Sequence, residues 1–294
     1  MLINRASQGG AGNALALEFA SKGYRVFATA RSQKTLTNLR DKGIATLVLD
    51  VTDADSIRVL VTEIASRTQG RLDMLFNNAG TLYEAPAVEA DPSRVRNLFA
   101  TNVFGLMEMV TAFMPLLLES VTSNYTPTIV NVASILARIP FLFSSAYNAS
   151  KAAVASYSDT LRLEFQPLGL KVVTLYMGEV STPLMATENI NFGPDSLYRD
   201  VVESVKARTT THLEKAMPPA DFARQVVDSL ITGKGSFLWK GTNAFLVWLL
   251  NAVGPRTVFD STMNKAVDLN KAEARASIFN LGQEWAKNGP KVVK

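Results

Sequence analysis

Short apolar runs alternate with stretches of helical period along the chain. Residues 13–22 carry an apolar helical pattern, and residues 24–30, Tyr24-Arg25-Val26-Phe27-Ala28-Thr29-Ala30, read as a strand. The next apolar run spans 44–49 and closes on Asp50-Val51; Thr52 opens a helix with Asp55 in its first turn, where the dipole favours a carboxylate. Residues 72–76 predict a buried strand that ends in Asn77-Asn78-Ala79-Gly80. Asp91-Pro92 is a helix start, an N-cap with proline at the first helical position. That helix carries Thr101-Asn102-Val103-Phe104-Gly105, and the asparagine and glycine weaken it enough to predict a kink that frees a backbone carbonyl. A strand at 128–132 delivers Ser134, a helix follows over 145–167, and a strand at 170–176 runs into Met177-Gly178-Glu179-Val180-Ser181-Thr182-Pro183. This alternation predicts an α/β fold, a doubly wound parallel sheet with helices on both faces. No linker or repeat interrupts it, so residues 1–240 are expected to form one domain, with 241–294 a helical extension packed on it. Asn77, Ser134 and Val180 follow strand ends and are expected to converge on one crevice.

Composition narrows the function classes. Of 294 residues, 47% are hydrophobic and 19% charged, which is globular rather than disordered. The absence of cysteine excludes a disulfide framework and a thiolate metal site, and no metal is expected. The single histidine, His212 in Thr209-Thr210-Thr211-His212, argues against a Ser-His-Asp enzyme and is expected in a surface or capping role. The net charge of +4 is scattered, so nucleic acid is not an expected partner. No secretory signal is visible, and a cytoplasmic location is expected. The run Ala244-Phe245-Leu246-Val247-Trp248-Leu249-Leu250 is shorter than the roughly 18 residues of a spanning helix. It suits a helix that covers a substrate pocket or packs between subunits of a homo-oligomer; the alternative is peripheral contact with a membrane, with Trp239, Trp248 and Lys240 at the interface.

Candidate chemistry centres on Ser145-Ala146-Tyr147-Asn148-Ala149-Ser150-Lys151. On a helix, Tyr147 and Lys151 project from one face, one turn apart. A free tyrosine titrates near ~10, and a neighbouring ammonium lowers that value. So tuned, Tyr147 can give a proton to a carbonyl oxygen or take one from an alcohol. Taken alone, the pair also fits an ordinary amphipathic helix. Near the N-terminus, Gly9, Gly10, Ala11 and Gly12 open the first helix, where backbone N–H groups can meet phosphate, although the spacing is not GxGxxG. Arg31 follows the next strand; in a βαβ nucleotide fold an arginine there suits the 2′-phosphate of NADP.

With Asn102, Ser134, Tyr147 and Lys151 in this order, the chain resembles the short-chain dehydrogenase/reductase family over about residues 4–240. Within it, the Gly9-Gly10-Ala11-Gly12 turn and Phe237-Leu238-Trp239-Lys240-Gly241 resemble the fungal 1-acyldihydroxyacetone-phosphate-reductase-like branch. The resemblance implies a Rossmann-type fold and NADP(H)-dependent hydride transfer to or from a carbonyl or alcohol group of a small, lipophilic substrate. It implies Tyr147 as proton donor, Ser134 as the group that orients the substrate oxygen, and Lys151 as the residue that tunes Tyr147 and holds the nicotinamide ribose. Asn102 would anchor a relay water and Asp50 contact the adenine. Asn77, Asn78, Ala79 and Gly80 would line the cofactor channel, and Val180 and Thr182 hold the carboxamide. The branch also suggests an endoplasmic-reticulum or lipid-droplet surface, and an acyl-dihydroxyacetone-phosphate-type substrate as an alternative.

Two departures stand out. The Thr-Gly of the family's TGxxxGxG loop is Asn4-Arg5 here, after a first strand that is expected to be truncated. Arg5 is expected to crowd the pyrophosphate, although its guanidinium offers the opposite outcome of gripping a phosphate. A decayed loop of this kind leaves open a non-catalytic binding or scaffold protein. The usual Pro-Gly after the sixth strand is Met177-Gly178.

Overall fold

The computed structural model describes residues 1–233 and 235–288, so residues 289–294 of the expected extension lie outside the described residues. Among the described residues, β1 (Leu2–Ile3), β2 (Phe27–Ala30), β3 (Ala45–Val48), β4 (Met74–Asn77), β5 (Thr128–Ser134), β6 (Lys171–Met177) and β7 (Phe237–Lys240) form one sheet. All neighbours pair in parallel, in the order β3-β2-β1-β4-β5-β6-β7. The order reverses between β1 and β4, and a ligand crevice is expected at the carboxyl ends of those strands.

Both faces of the sheet are covered, as a parallel sheet requires. On one side lie α1 (Ala11–Ser21) and, from late in the chain, α8 (Pro219–Ile231). On the other lie α3 (Ala54–Thr68), α5 (Gly105–Leu118) and α6 (Ser145–Phe165). The two-residue period of the strands sends successive side chains to opposite faces. Leu2, Phe27, Leu75, Ile129 and Val172 join the α3–α5–α6 core; Ile3, Ala28, Phe76, Val130 and Val173 join the α1–α8 core. A short helix α2 (Thr37–Arg40) links β2 to β3, and α4 (Pro92–Phe99) precedes α5.

Several boundaries differ from expectation for local reasons. The helix expected at Thr52 starts at Ala54, because the Asp50 carboxylate takes the Thr52 N–H at 2.9 Å and its hydroxyl at 2.7 Å, and Asp53 caps the helix through the Asp55 N–H. The first helix begins earlier than expected, at Ala11. The helix at 145 ends at Phe165, two residues before Pro167. The weak point at Asn102 is a π-turn, Ala100–Phe104, that joins α4 to α5. The combined helix Pro92–Leu118 is long and apolar enough to cross a membrane, yet half of its most apolar stretch is buried within the protein.

The last part of the chain returns to the carboxyl side of the sheet. Helix α7 (Val202–Lys215) precedes α8; α9 (Ala244–Val253), α10 (Asp260–Ala266) and α11 (Ala272–Asn288) follow β7. Ala244, Val247 and Phe259 pack with Ile135 and Ile139 beyond β5, and Val267 packs with Phe143, Val201 and Val205.

Candidate active site

One cavity of about 690 Å³ opens along the carboxyl ends of the strands. This is the size range of a cofactor or substrate site. The end of β5 brings Ser134 to its wall and α6 brings Tyr147 and Lys151. Tyr147 and Lys151 are one helical turn apart, and the Lys151 Nζ lies 5.9 Å from the Tyr147 ring centre. Lys151 Nζ donates to the Val132 carbonyl at 2.8 Å, which anchors it to the strand that carries Ser134. The Ser134 hydroxyl accepts from the Leu136 N–H at 3.1 Å and donates to the Met177 carbonyl at 3.5 Å.

The electrostatics depart from the expected tuning. Burial pushes the Tyr147 hydroxyl up to about 12, against a hydrogen bond with Ser134 and the charge of Arg5, which both act to lower it. Arg5, in the turn after β1, acts on Tyr147 as a further cation beside the Lys151 ammonium near its ring. Burial, and then the Arg5 charge, bring the Lys151 ammonium down to about 8. Two groups whose ordinary pKa values nearly coincide are driven apart, with Tyr147 firmly protonated. A protonated phenol beside a serine hydroxyl can donate to a carbonyl oxygen placed between them.

Asn102 stands behind the wall, fully buried. Its Oδ1 accepts from the Thr81 N–H at 2.7 Å, and its Nδ2 donates to the Thr81 carbonyl and to Ser150 Oγ, both at 3.0 Å. The π-turn aims this amide at the loop after β4 and at α6 together.

The other cofactor candidates divide into two groups. Gly10, Ala11, Arg31, Asp50, Asn78, Ala79, Gly80, Val180 and Thr182 line the cavity; Gly9, Gly12 and Asn77 do not. Gly9 adopts φ +78°, a turn conformation that costs glycine little. A Cβ on Gly12 would collide with the Arg5 carbonyl, so this glycine lets α1 approach the preceding turn. Asn77 points into the sheet instead of the channel, in a buried chain of amides. Asn4 Nδ2 donates to Asn77 Oδ1, Asn77 Nδ2 to Asn131 Oδ1, and Asn131 Nδ2 to Ser158 Oγ, each at 3.0 Å. Asn4, at the family's threonine position, also accepts the N–H groups of Asn78 and Ala79, both at 2.6 Å.

The residues present fit a dinucleotide. No side chain caps α1, whose first turn faces the cavity, so its free N–H groups suit a phosphate. Arg31 stands exposed where β2 ends. Burial acts to raise the Asp50 carboxyl, but the Thr52 hydrogen bonds and the Arg31 charge outweigh it and hold Asp50 below its ordinary value.

Three residues at this end had no sequence signal for their role, and two of them, Glu84 and His212, line the wall. Glu84 and Arg208 form an ion pair with both side chains 3% exposed; they are 124 positions apart, which no local pattern reveals. Arg208 also stacks 4.0 Å above the Phe141 ring. His212, expected at the surface or as a cap, lines the cavity because α7 folds over it; its Nδ1 lies 3.3 Å from Glu179 Oε1, which also accepts from Asn243 Nδ2 at 3.0 Å. Burial lowers the His212 pKa, with Glu179 acting against that shift. Much of the rest of this end is apolar, with Leu136, Ile139, Leu184, Val247, Leu250 and Phe259 on the wall beside Thr209 and Thr262.

A profile described as short chain dehydrogenase matches residues 3–191. The short-chain dehydrogenase virD of Hypocrea virens is 34% identical over 92% of this chain and 93% of its own. The NADPH-dependent 1-acyldihydroxyacetone phosphate reductase of Schizosaccharomyces pombe is 43% identical over 63% of this chain and 61% of its own. Among solved structures, a short-chain dehydrogenase from Streptomyces avermitilis superposes with a TM-score of 0.70 at 26% identity, over 97% of this chain and 96% of that one. A short chain dehydrogenase from Burkholderia cenocepacia in complex with NADP shares the fold, with a TM-score of 0.68 at 23% identity over 89% of this chain and 95% of that one. With the profile matching well over half of the chain and a relative aligned along nearly all of it, the protein belongs to the short-chain dehydrogenase family, oxidoreductases that use a nicotinamide cofactor.

Proposed function

We propose that this protein reduces a ketone or aldehyde group of a lipophilic substrate with NADPH. The observation that carries this is the sharing of one cavity: Ser134, Tyr147 and Lys151 face it on one side, Arg31 stands at its other end, and apolar side chains line the part beyond Tyr147. When bound, the nicotinamide supplies the hydride. The chain's own groups do the rest. Tyr147, held protonated by burial, donates its proton to the carbonyl oxygen. Ser134 hydrogen-bonds that oxygen and orients it. Lys151, anchored on Val132, holds the nicotinamide ribose. Asn102 fixes the backbone of Thr81 and the Ser150 hydroxyl behind the lysine, and is the anchor for a relay water. Asp50, Asn78, Ala79, Gly80, Val180 and Thr182 contact the cofactor, and Arg31 selects its 2′-phosphate. The named relative that is NADPH-dependent supports the same cofactor. The test is NADPH oxidation by the purified protein against a panel of long-chain and cyclic ketones and aldehydes. Turnover of none of them, together with no NADPH binding, favours the non-catalytic alternative.

A peripheral membrane contact, at an endoplasmic-reticulum or lipid-droplet surface, is the second reading. It is favoured by α9, whose Val247 and Leu250 line the cavity while Phe245, Trp248, Leu249 and Val253 face outward, exposed. Co-flotation with phospholipid vesicles, lost in Phe245→Ser/Trp248→Ser, tests it.

A further inference from the structure

The turn after β1 holds a residue that membership of the family does not explain. Arg5 stands there at φ +53°, in the left-handed region where an arginine is strained and a glycine is not. The conformation is locked from two sides. Asn78 Nδ2 donates to the Arg5 carbonyl at 3.0 Å, and Gly12, in the first turn of α1, is pressed against that same carbonyl.

With its backbone held, the Arg5 side chain enters the cavity. The residue is half-buried, and among the described residues no carboxylate or hydrogen-bond acceptor meets its guanidinium. Its charged neighbours are cations. The Arg31 charge opposes it from one direction, and its own charge bears on Lys151 and Tyr147 in the other. A cation taken partly out of water beside like charges is unfavourable until an anion joins it. Backbone strain and an unpartnered charge therefore fall on one residue, and an anion with several oxygens relieves the second.

We propose that Arg5 is a ligand for the diphosphate bridge of the dinucleotide, which it grips from the β1 side while the uncapped N-terminus of α1 receives it from the other. This role presupposes the nicotinamide dinucleotide cofactor proposed above. Arg31 marks the adenosine-ribose end of the cavity, and Tyr147 with Lys151 the reacting end. Arg5 follows β1, which lies in the sheet between β2, whose end carries Arg31, and β5, whose end carries Ser134, so it lines the cavity beneath the bridge that connects the two ends. The guanidinium suits it, since its planar fork makes paired hydrogen bonds to phosphate oxygens. Crowding, the outcome expected from the size of the side chain, predicts the opposite sign for the effect of Arg5→Gly on cofactor binding.

Titration of NADPH and of NADH into the unsubstituted protein, Arg5→Gly and Arg5→Lys tests the assignment, with melting of the ligand-free proteins as the control. Arg5→Gly is expected to melt a few degrees higher, because glycine relieves the positive φ, so weaker binding cannot come from misfolding. The same variant is expected to bind both cofactors about 10–100-fold more weakly and by the same factor, since both carry the diphosphate. Arg5→Lys is expected to recover part of the loss. Inorganic pyrophosphate is expected to raise the melting temperature of the unsubstituted protein and not that of Arg5→Gly. Equal or tighter binding of both cofactors by Arg5→Gly overturns the proposal in favour of crowding. A loss confined to NADPH overturns it in favour of a 2′-phosphate contact shared with Arg31. If the unsubstituted protein binds neither cofactor, the oxidoreductase reading fails instead, and the pyrophosphate comparison still decides whether Arg5 is an anion ligand.

Discussion

Tyr147 and Lys151 show how burial assigns protonation states. Tyr147, with its pKa pushed up to about 12, keeps its proton across the physiological range, as a donor must. Tyr147→Phe removes that proton and little packing. Its rate of carbonyl reduction should fall at least ~100-fold, the lower end of what general acid catalysis supplies, with NADPH affinity and melting temperature nearly unchanged. Retention of a tenth of the rate would show that another group is the acid. Lys151 carries a stability signature of definite sign. Its pKa of about 8 in the fold lies below the ordinary 10.5, so the unfolded chain binds the extra proton in the interval between them. Stability therefore rises with pH there. Below about pH 8 the ammonium is charged in both states and its burial penalty is complete. Relative to Lys151→Met, the ligand-free protein should gain on the order of 2–3 kcal/mol between pH 8 and pH 10, read by urea unfolding. Tyr147 contributes the opposite slope above its unfolded value of 10, which confines the test to this window. At the other end of the cavity, Arg31→Asp should reverse a preference for NADPH over NADH, read as the ratio of kcat/KM values; equal efficiency of the unsubstituted protein with both would remove the basis for it.

Among the elements, the short β1 is held by more than its own ladder. Its two residues pair with β2 and β4, and Asn4 then continues the connection through its side chain. One amide oxygen receives the N–H groups of Asn78 and Ala79 while the amide nitrogen opens the buried Asn77–Asn131–Ser158 chain. Asn4→Ala would leave two backbone donors and the Asn77 oxygen unpaired, at a cost on the order of 2–3 kcal/mol. Denaturant midpoints would show it, and a change below about 0.5 kcal/mol would mean that water replaces the amide. The asparagine thus ties the turn before α1 to the loop after β4, the two backbones that flank the cofactor side of the cavity. The π-turn at Ala100–Phe104 does comparable work from the opposite direction, since it lets Asn102 hold Thr81 and Ser150 together.

For the whole molecule, the substrate end of the cavity is assembled from distant parts of the chain. Glu84 in the loop after β4 pairs with Arg208 on α7, which also donates to the Leu142 carbonyl at 3.1 Å. The pair fastens α7 over the cavity and places Thr209 and His212 on its wall. Arg208→Met would strand a buried carboxylate, at about 3–5 kcal/mol, whereas Glu84→Leu with Arg208→Met should recover most of that loss. Equilibrium unfolding of the single and double variants separates the two cases; an equal loss in both would assign the cost to packing.

What the chain's local patterns determined is whatever depends on neighbours in sequence. Tyr147 and Lys151 share a helix face because four residues make about one turn, and Asp91-Pro92 starts a helix wherever it occurs. The alternation of elements was enough for a doubly wound sheet, and Arg31 and Ser134 occupy strand ends because the strands are legible. Tertiary structure alone decided the rest. It turned Asn77 from the channel into a buried amide chain, brought Glu84 to Arg208 and set His212 on the cavity wall. It also brought Arg5, from near the start of the chain, to act as a further cation on the Tyr147 hydroxyl. These outcomes depend on burial and on charges brought together from far along the chain, and periodicity records which face a side chain takes without recording what waits on that face.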